Sequence, residues 1–306
     1  MRIILVGQAA FAAEVLDKLI QEGHEVVAVY CPPDPAPDKP EPVKERAAKR
    51  GIPVFQVRTL KDPAVRQKWQ ELQADLAVLA YVTQIVPPEL FRLPRLGSIC
   101  FHPSLLPKYR GGSAIPWQII KGETRTGVTV FWVDEGIDTG PILLQKEASI
   151  DPDDTAATLY FNKLFPLGVD AVVEAVRAIA AGTAPRIPQD ESQATYDPLC
   201  RDEHAVVDWS QPVDRVYNLI RGCDPQPGAY NVVEGEKLRY FDARKLAIPQ
   251  SAEPGTVLEV GRDGLVVAAN GGAIALRRLR YGSGAKRPAH EVAAEIGLRV
   301  GQRLSP

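Results

Sequence analysis

The stretch Gly97-Ser98-Ile99-Cys100-Phe101-His102-Pro103-Ser104-Leu105-Leu106-Pro107-Lys108-Tyr109-Arg110-Gly111-Gly112 concentrates residue types that could do chemistry. An apolar run ends in a histidine and passes directly into a loop punctuated by proline and glycine. Histidine changes charge near neutral pH, so at the open end of a strand His102 suits proton transfer. It suits equally a ring that caps the strand by bonding backbone. Ser104–Pro107 is a constrained turn, and Arg110-Gly111-Gly112 lets backbone approach a ligand closely. Cys100, two positions earlier on the same strand face, adds a thiol, a nucleophile only if a neighbour activates it. A second polar stretch, Asp134-Glu135-Gly136-Ile137-Asp138-Thr139-Gly140-Pro141, reads either as a hairpin loop or as the source of a carboxylate for His102. Only the fold can bring the two together.

The elements that must position these groups follow from hydrophobic pattern. In the first third, short apolar runs (Ile3–Val6, Glu25–Tyr30, Leu76–Ala80, Ser98–Phe101) alternate with helical periodicity at Ala9–Gln21, Val43–Arg50, Asp62–Gln73 and Pro88–Phe91. Continuous apolar strands between helices imply a mostly parallel, Rossmann-like sheet covered on both faces. Ile115–Lys121 reads as a helix, Gly127–Val133 and Ile142–Ile150 as strands, and Asp154–Ala181 as one long helix ended by Gly182. After a polar stretch come a helix at Val213–Ile220 and short strands with glycine turns at Lys237–Phe241, Gly255–Val260, Leu265–Ala269 and Ile274–Leu279. That texture implies a smaller C-terminal β-barrel, OB-like in kind. The expected plan is a sheet domain over 1–182, a linker over 183–204 and a barrel domain over 205–306.

Composition excludes several classes. The chain has 306 residues, 45% hydrophobic and 24% charged, with a net charge of −2, ordinary for about two globular domains. No chain-wide basic footprint for nucleic acid exists, no apolar run reaches the roughly 18 residues of a membrane span, and the first residues read as a buried strand rather than a signal peptide. A cytoplasmic protein with no membrane partner is expected. Cys31, Cys100, Cys200 and Cys223 form no close ligand pair, so reduced thiols and no metal site are expected. Gly7-Gln8-Ala9-Ala10-Phe11 stands where a dinucleotide site would carry three glycines, and no Walker lysine pattern is present.

On His102, Ser104–Pro107 and Asp138 the chain resembles the 10-formyltetrahydrofolate-dependent formyltransferase family, which has an Asn-x-His strand end, an SLLP loop and an Asp in a D-x-G loop. Asp208-Trp209-Ser210, Asn218-Leu219-Ile220-Arg221 and Pro227-Gly228-Ala229-Tyr230 resemble the start of that family's second domain, so the likeness spans nearly the whole chain. The layout is similar to methionyl-tRNA formyltransferase. The text around Gln84, Pro103, Ser113-Ala114-Ile115, Phe131-Trp132, Thr158-Leu159-Tyr160 and Leu164-Phe165-Pro166 is similar to the hydrolase domain of 10-formyltetrahydrofolate dehydrogenase. The resemblance implies 10-formyltetrahydrofolate as formyl donor, with His102 polarising the formyl oxygen and Asp138 orienting His102 and helping to accept a proton. Tyr81, Val82, Gln84 and Val86 would then wrap the pteridine, and Ser104, Leu105, Leu106, Pro107, Asp134 and Gly136 would shape the pocket.

Cys100 stands where the family usually has asparagine. A thiol is a weaker donor, and loss of an oxyanion donor can cost about 10²–10³ in rate. The acceptor also stays open. The loop Pro32–Pro42 is proline-rich rather than basic, against tRNA, whereas Arg277, Arg278, Arg280, Lys286 and Arg287 could meet phosphates or simply form a solvated edge. The readings are transfer to an amine, with charged initiator tRNA among the candidate partners; hydrolysis to formate and tetrahydrofolate; transfer to an amino sugar; and folate binding without turnover.

Overall fold

The computed structural model describes residues 1–249 and 251–305. The chain folds as two units. The first comprises Met1–Gly112, Gly127–Ala148 and Asn162–Tyr196; the second comprises Ser113–Thr126, Ser149–Phe161 and the chain from Asp197 onward. The stretch 183–204 is therefore shared, its residues 183–196 belonging to the first unit and the rest to the second.

The first unit is built on β1 (Arg2–Gly7), β2 (Glu25–Cys31), β3 (Val54–Gln56), β4 (Leu76–Ala80), β5 (Ser98–His102), β6 (Arg125–Trp132) and β7 (Ile142–Ser149), in the order β3-β2-β1-β4-β5-β6-β7. The pairs from β3 to β5 are parallel, and β6 runs antiparallel to β5 with His102 opposite Thr129. The order reverses between β1 and β4, which opens a crevice beyond their carboxyl ends, the usual ligand position in such sheets. Gly7 is required there. A Cβ on it would lie 2.1 Å from the Ala80 carbonyl oxygen.

Helix α1 (Ala9–Gln21) buries Phe11, Val15, Leu16 and Leu19 and stops before Gly23, whose φ of 79° is left-handed. Phe11 stacks on Phe101 with ring centroids 4.3 Å apart. This contact pins the residue that precedes His102, and each such buried side chain contributes about 1.5–3 kcal/mol. Helices α2 (Pro42–Ala48), α3 (Pro63–Leu72) and α4 (Pro88–Phe91) complete the sheet connections.

The helix expected over Asp154–Ala181 is interrupted. A capping box of Thr155 and Thr158 starts α6 (Ala156–Leu159), a π-helical turn covers Tyr160–Leu164, and α7 (Phe165–Ala180) follows. Pro166 has no N–H for Asn162 and its ring crowds that carbonyl. The regular ladder cannot pass through it, and a wider turn absorbs the mismatch.

The second unit contains α5 (Ala114–Ile120), α6, α8 (Val213–Gly222), α9 (Ala289–Glu295) and an antiparallel sheet. Its strands are β8 (Tyr230–Val233), β9 (Glu236–Leu246), β10 (Val257–Gly261), β11 (Gly264–Ala269), β12 (Gly272–Tyr281) and β13 (Arg287–Pro288), in the order β10-β11-β12-β9-β8 with β13 beside β12. β8, β13 and α9 are additional to the elements read from the sequence. Asn231, fully buried, accepts from Trp209 Nε1 at 2.7 Å and Tyr240 Oη at 2.8 Å and donates to the Val207 carbonyl at 2.8 Å. Full satisfaction makes this buried polar group tolerable.

Candidate functional site

His102 ends β5 and is 5% exposed. Its Nε2 lies 2.7 Å from the Tyr109 carbonyl oxygen. A carbonyl can only accept, so Nε2 carries the proton and donates. Nδ1 lies 3.5 Å from Asp138 Oδ2 and is the ring nitrogen left for other partners. The fold thus brings together the histidine and the carboxylate whose meeting the sequence could not prove.

Both partners are held by backbone in unusual conformations. Tyr109 and Asp138 have φ of 57° and 56°, in the left-handed region. Such residues persist where the surroundings over-determine them. Asp138 Oδ2 accepts the Gly111 N–H at 2.7 Å. Gln189 Nε2 donates to the Asp138 and Gly140 carbonyls, both at 2.8 Å. Gly140 admits no side chain, because a Cβ would lie 1.7 Å from the Trp132 carbonyl oxygen. Gln189 also accepts at Oε1 from Arg110 Nη2 at 2.8 Å, and the same guanidinium forms an ion pair with Glu191 at 2.7 Å. The hydrogen bonds from Arg110, helped by its charge, lower the Glu191 carboxyl below the ordinary glutamate value. Thr195 accepts the Tyr109 N–H at 2.7 Å. Residues 189–195 therefore form a strap across both loops of the site.

The loop after His102 has its own supports. Ser104 is fully buried, and its hydroxyl donates to the Lys108 carbonyl at 2.7 Å. Thr129, opposite His102, donates to the Ser104 carbonyl at 2.7 Å and accepts the Leu106 N–H at 3.1 Å. Gln145 Nε2 donates to the Leu106 carbonyl at 2.8 Å. Leu106 is buried and Leu105 half-buried. Asp134 braces its own loop, accepting from Thr139 Oγ1 at 2.6 Å and from the Gly136 N–H at 3.1 Å.

The pteridine candidates divide. Tyr81, Val82 and Gln84 line a depression at the β1/β4 reversal together with Gly7 and Gln8, and Tyr81 has φ of 65°. Gln84 accepts the Leu60 N–H at 3.2 Å. Val86 packs instead into the core with Leu90 and Phe91. Cys100 is half-buried, with Sγ 3.5 Å from the Phe101 carbonyl, and burial followed by the Asp138 charge pushes its thiol well above the ordinary value. Such a thiol stays protonated and is a poor nucleophile.

In the second unit the basic residues expected to meet phosphate are mostly neutralised. Arg278 pairs with Asp242, Arg287 pairs with Glu295, and Lys286 lies 3.7 Å from Asp224 and 3.9 Å from the Phe241 ring centroid. A cavity of about 590 Å³ lies here, lined in part by Asp153, Arg244, Arg277 and Lys286. Among the described residues no group of His, Cys, Asp and Glu side chains is placed to hold a metal ion, and no helix is long and apolar enough to cross a membrane.

Residues 1–176 match the formyl transferase family, and residues 200–296 match the formyl transferase C-terminal domain. The chain is 41% identical over 308 residues to the cytosolic 10-formyltetrahydrofolate dehydrogenase of Xenopus laevis, covering 95% of this chain and 34% of that protein. It thus spans about a third of that relative's length. It is 38% identical over 309 residues to a methionyl-tRNA formyltransferase of Geotalea daltonii, covering 99% of this chain and 98% of that one. HypX of Aquifex aeolicus in complex with tetrahydrofolic acid shares the fold, with a TM-score of 0.73 at 22% identity over 98% of this chain and 48% of the other.

Proposed function

The chain belongs to the formyl transferase family, and we propose that it takes the formyl group from 10-formyltetrahydrofolate and passes it to an amine. The pairing of His102 with Asp138 at the end of β5 carries this reading. The amine adds to the formyl carbon, a tetrahedral oxyanion forms, the amine loses a proton, and the bond from the formyl carbon to N10 breaks as N10 takes up a proton and tetrahydrofolate leaves. Such a step needs a donor aimed at the oxyanion and an acid–base partner. With Nε2–H committed to Tyr109, Nδ1 is the nitrogen that, once protonated, stabilises the oxyanion. Asp138 offsets the imidazolium charge and takes the amine proton, directly or through water. Tyr81, Val82 and Gln84 bind the pteridine in the depression at the sheet reversal. Ser104–Pro107, Asp134 and Gly136 set the rim indirectly, by fixing the two loops.

The methionyl-tRNA formyltransferase relative, aligned over nearly both lengths, favours an amine acceptor and keeps charged initiator tRNA among the candidates. The loop before α2 argues the other way: Asp34 there, held by Lys44 and held down to about 2, organises it rather than a cationic group. A cytoplasmic setting fits the four free thiols.

A second reading, hydrolysis to formate and tetrahydrofolate, is favoured by Cys100, which leaves the site without the family's amide donor, and by the likeness to 10-formyltetrahydrofolate dehydrogenase. The deciding experiment follows tetrahydrofolate release from 10-formyltetrahydrofolate, first without acceptor and then with methionyl-tRNA. Release only with an amine supports transfer. Equal steady release without one overturns it in favour of hydrolysis, and Cys100→Asn should then shift the balance toward transfer. Folate binding with no release under any acceptor would make the chain a non-catalytic binder.

A further inference from the structure

Cys200 and Cys223, 23 positions apart, bring their Sγ atoms to 4.0 Å. Separate tethers to one helix produce this approach. On one side the chain before Cys200 is fastened along α5: Asp197 pairs with Lys121 at 2.6 Å, the Pro198 carbonyl accepts from Trp117 Nε1 at 2.7 Å, and the Cys200 N–H donates to Ser113 Oγ at 3.0 Å. On the other side Gly222, the last residue of α8, sits so close to α5 that a Cβ would lie 2.7 Å from Ile120 and 3.0 Å from the Pro116 carbonyl. Cys223 follows immediately as the C-cap. The backbone that carries each sulfur is thus fastened to α5.

We propose that Cys200 and Cys223 are a redox modification site, a dithiol that hydroperoxides close to a disulfide. Cys200 is half-buried and open to a small oxidant, whereas Cys223 is fully buried and reaches only its partner. In the first step the Cys200 sulfur attacks a peroxide oxygen, the O–O bond breaks, Cys200 becomes a sulfenic acid, and its thiol proton leaves with the other oxygen as one water or alcohol. In the second the Cys223 sulfur attacks the Cys200 sulfur, the S–O bond breaks, and its oxygen leaves as water with the Cys223 proton. The two thiols lose two electrons and the peroxide gains them. Closing the pair moves the sulfurs from 4.0 Å to about 2 Å, a shift shared between two side-chain rotations and the short segment after Asp197. Because Cys223 is fully buried and Cys200 is not, the attack on peroxide falls to Cys200. The competing thiols are quieter: burial pushes Cys31 up to about 12 and raises Cys100 further.

The test uses the full chain and hydrogen peroxide. After mild oxidation, blocking of free thiols and non-reducing digestion, the peptides carrying Cys200 and Cys223 should appear joined, lighter than their sum by about 2 Da, and separate on reduction. The Cys223→Ser variant should instead hold a sulfenic acid at Cys200 that dimedone captures. Peptides left unjoined while Cys200 goes to sulfinic acid, or a bridge to Cys31 or Cys100, would overturn the proposal. The mapping on the unaltered chain decides alone should the variant not fold.

Discussion

Around His102 the ring's Nε2, the Asp138 carboxylate and the two loops each have a fixed partner, and Nδ1 is left for the reaction. Nε2 is tied to the Tyr109 carbonyl, Asp138 Oδ2 to the Gly111 N–H, and the loop backbones to Thr129, Gln145, Gln189 and Thr195. Around β12 cations are abundant and only some are paired, with Arg278 on Asp242 and Lys286 near Asp224. The half-exposed pair Arg278–Asp242 is worth about 0–1 kcal/mol. Density of charged residues along a strand therefore says little about chemistry. What separates the regions is how firmly backbone geometry fixes each polar group, left-handed residues included.

The sharpest break of this contrast is His102→Ala, which should slow formyl release by about 10⁴-fold while folate still binds. Activity close to that of the parent would move the chemistry elsewhere. Asp138→Asn comes next, at about 10². Asparagine tolerates the left-handed backbone that Asp138 adopts, so this variant isolates the charge. Asp138→Ala adds strain, and a larger loss of thermal stability in Ala than in Asn would separate the two contributions.

Gln189→Ala tests the strap. It removes both bonds to the Asp138 loop and one of the two partners of Arg110, the other being Glu191. Turnover should fall about tenfold, since small misplacements of reacting groups are costly, and the fall should appear in kcat rather than in donor KM. An unchanged kcat would reduce the strap to a tether.

That residue shows where sequence reading stops. Strand ends, α1 and the histidine with its loop were legible because apolar runs and a lone titratable group at a strand end are local signals. The strap was not. Residues 183–204 have no periodicity and read as a linker, yet Gln189, Glu191 and Thr195 act by bonding backbone and a guanidinium far away in the chain. Nor does any residue type announce that the Tyr109 contribution is its carbonyl. The broken helix was legible in part, since Pro166 stood in view, but the amphipathic pattern on either side masked it. Short elements such as β8 and α9 were lost because their few residues carry too little periodicity to register.

On the other side of the comparison, replacing Arg277, Arg278 and Arg280 with alanine should leave 10-formyltetrahydrofolate binding within about twofold. Loss of methionyl-tRNA binding in the same variant, steepest at low salt, would show that the partly cancelled charge still serves an acceptor.

The smallest effect should lie in stability alone. Asp202 is flanked by Arg239 at 2.8 Å and Lys237 at 2.5 Å, and these cations hold its carboxyl down to about 2. A carboxyl depressed in the fold from the ordinary value of about 3.9 adds stability that is fully present above that value and disappears as pH falls through the folded one. Asp202→Asn should therefore lower the unfolding midpoint modestly at pH 7, and the gap to the parent should close between about pH 4 and pH 2. Because the Asp202 side chain is 37% exposed, solvent screening keeps the effect small. Formyl release at pH 7 should stay at the parental rate. A change in rate without a change in stability would make this ion cluster part of the reaction and erase the contrast with His102, where the same kind of substitution is expected to act on turnover.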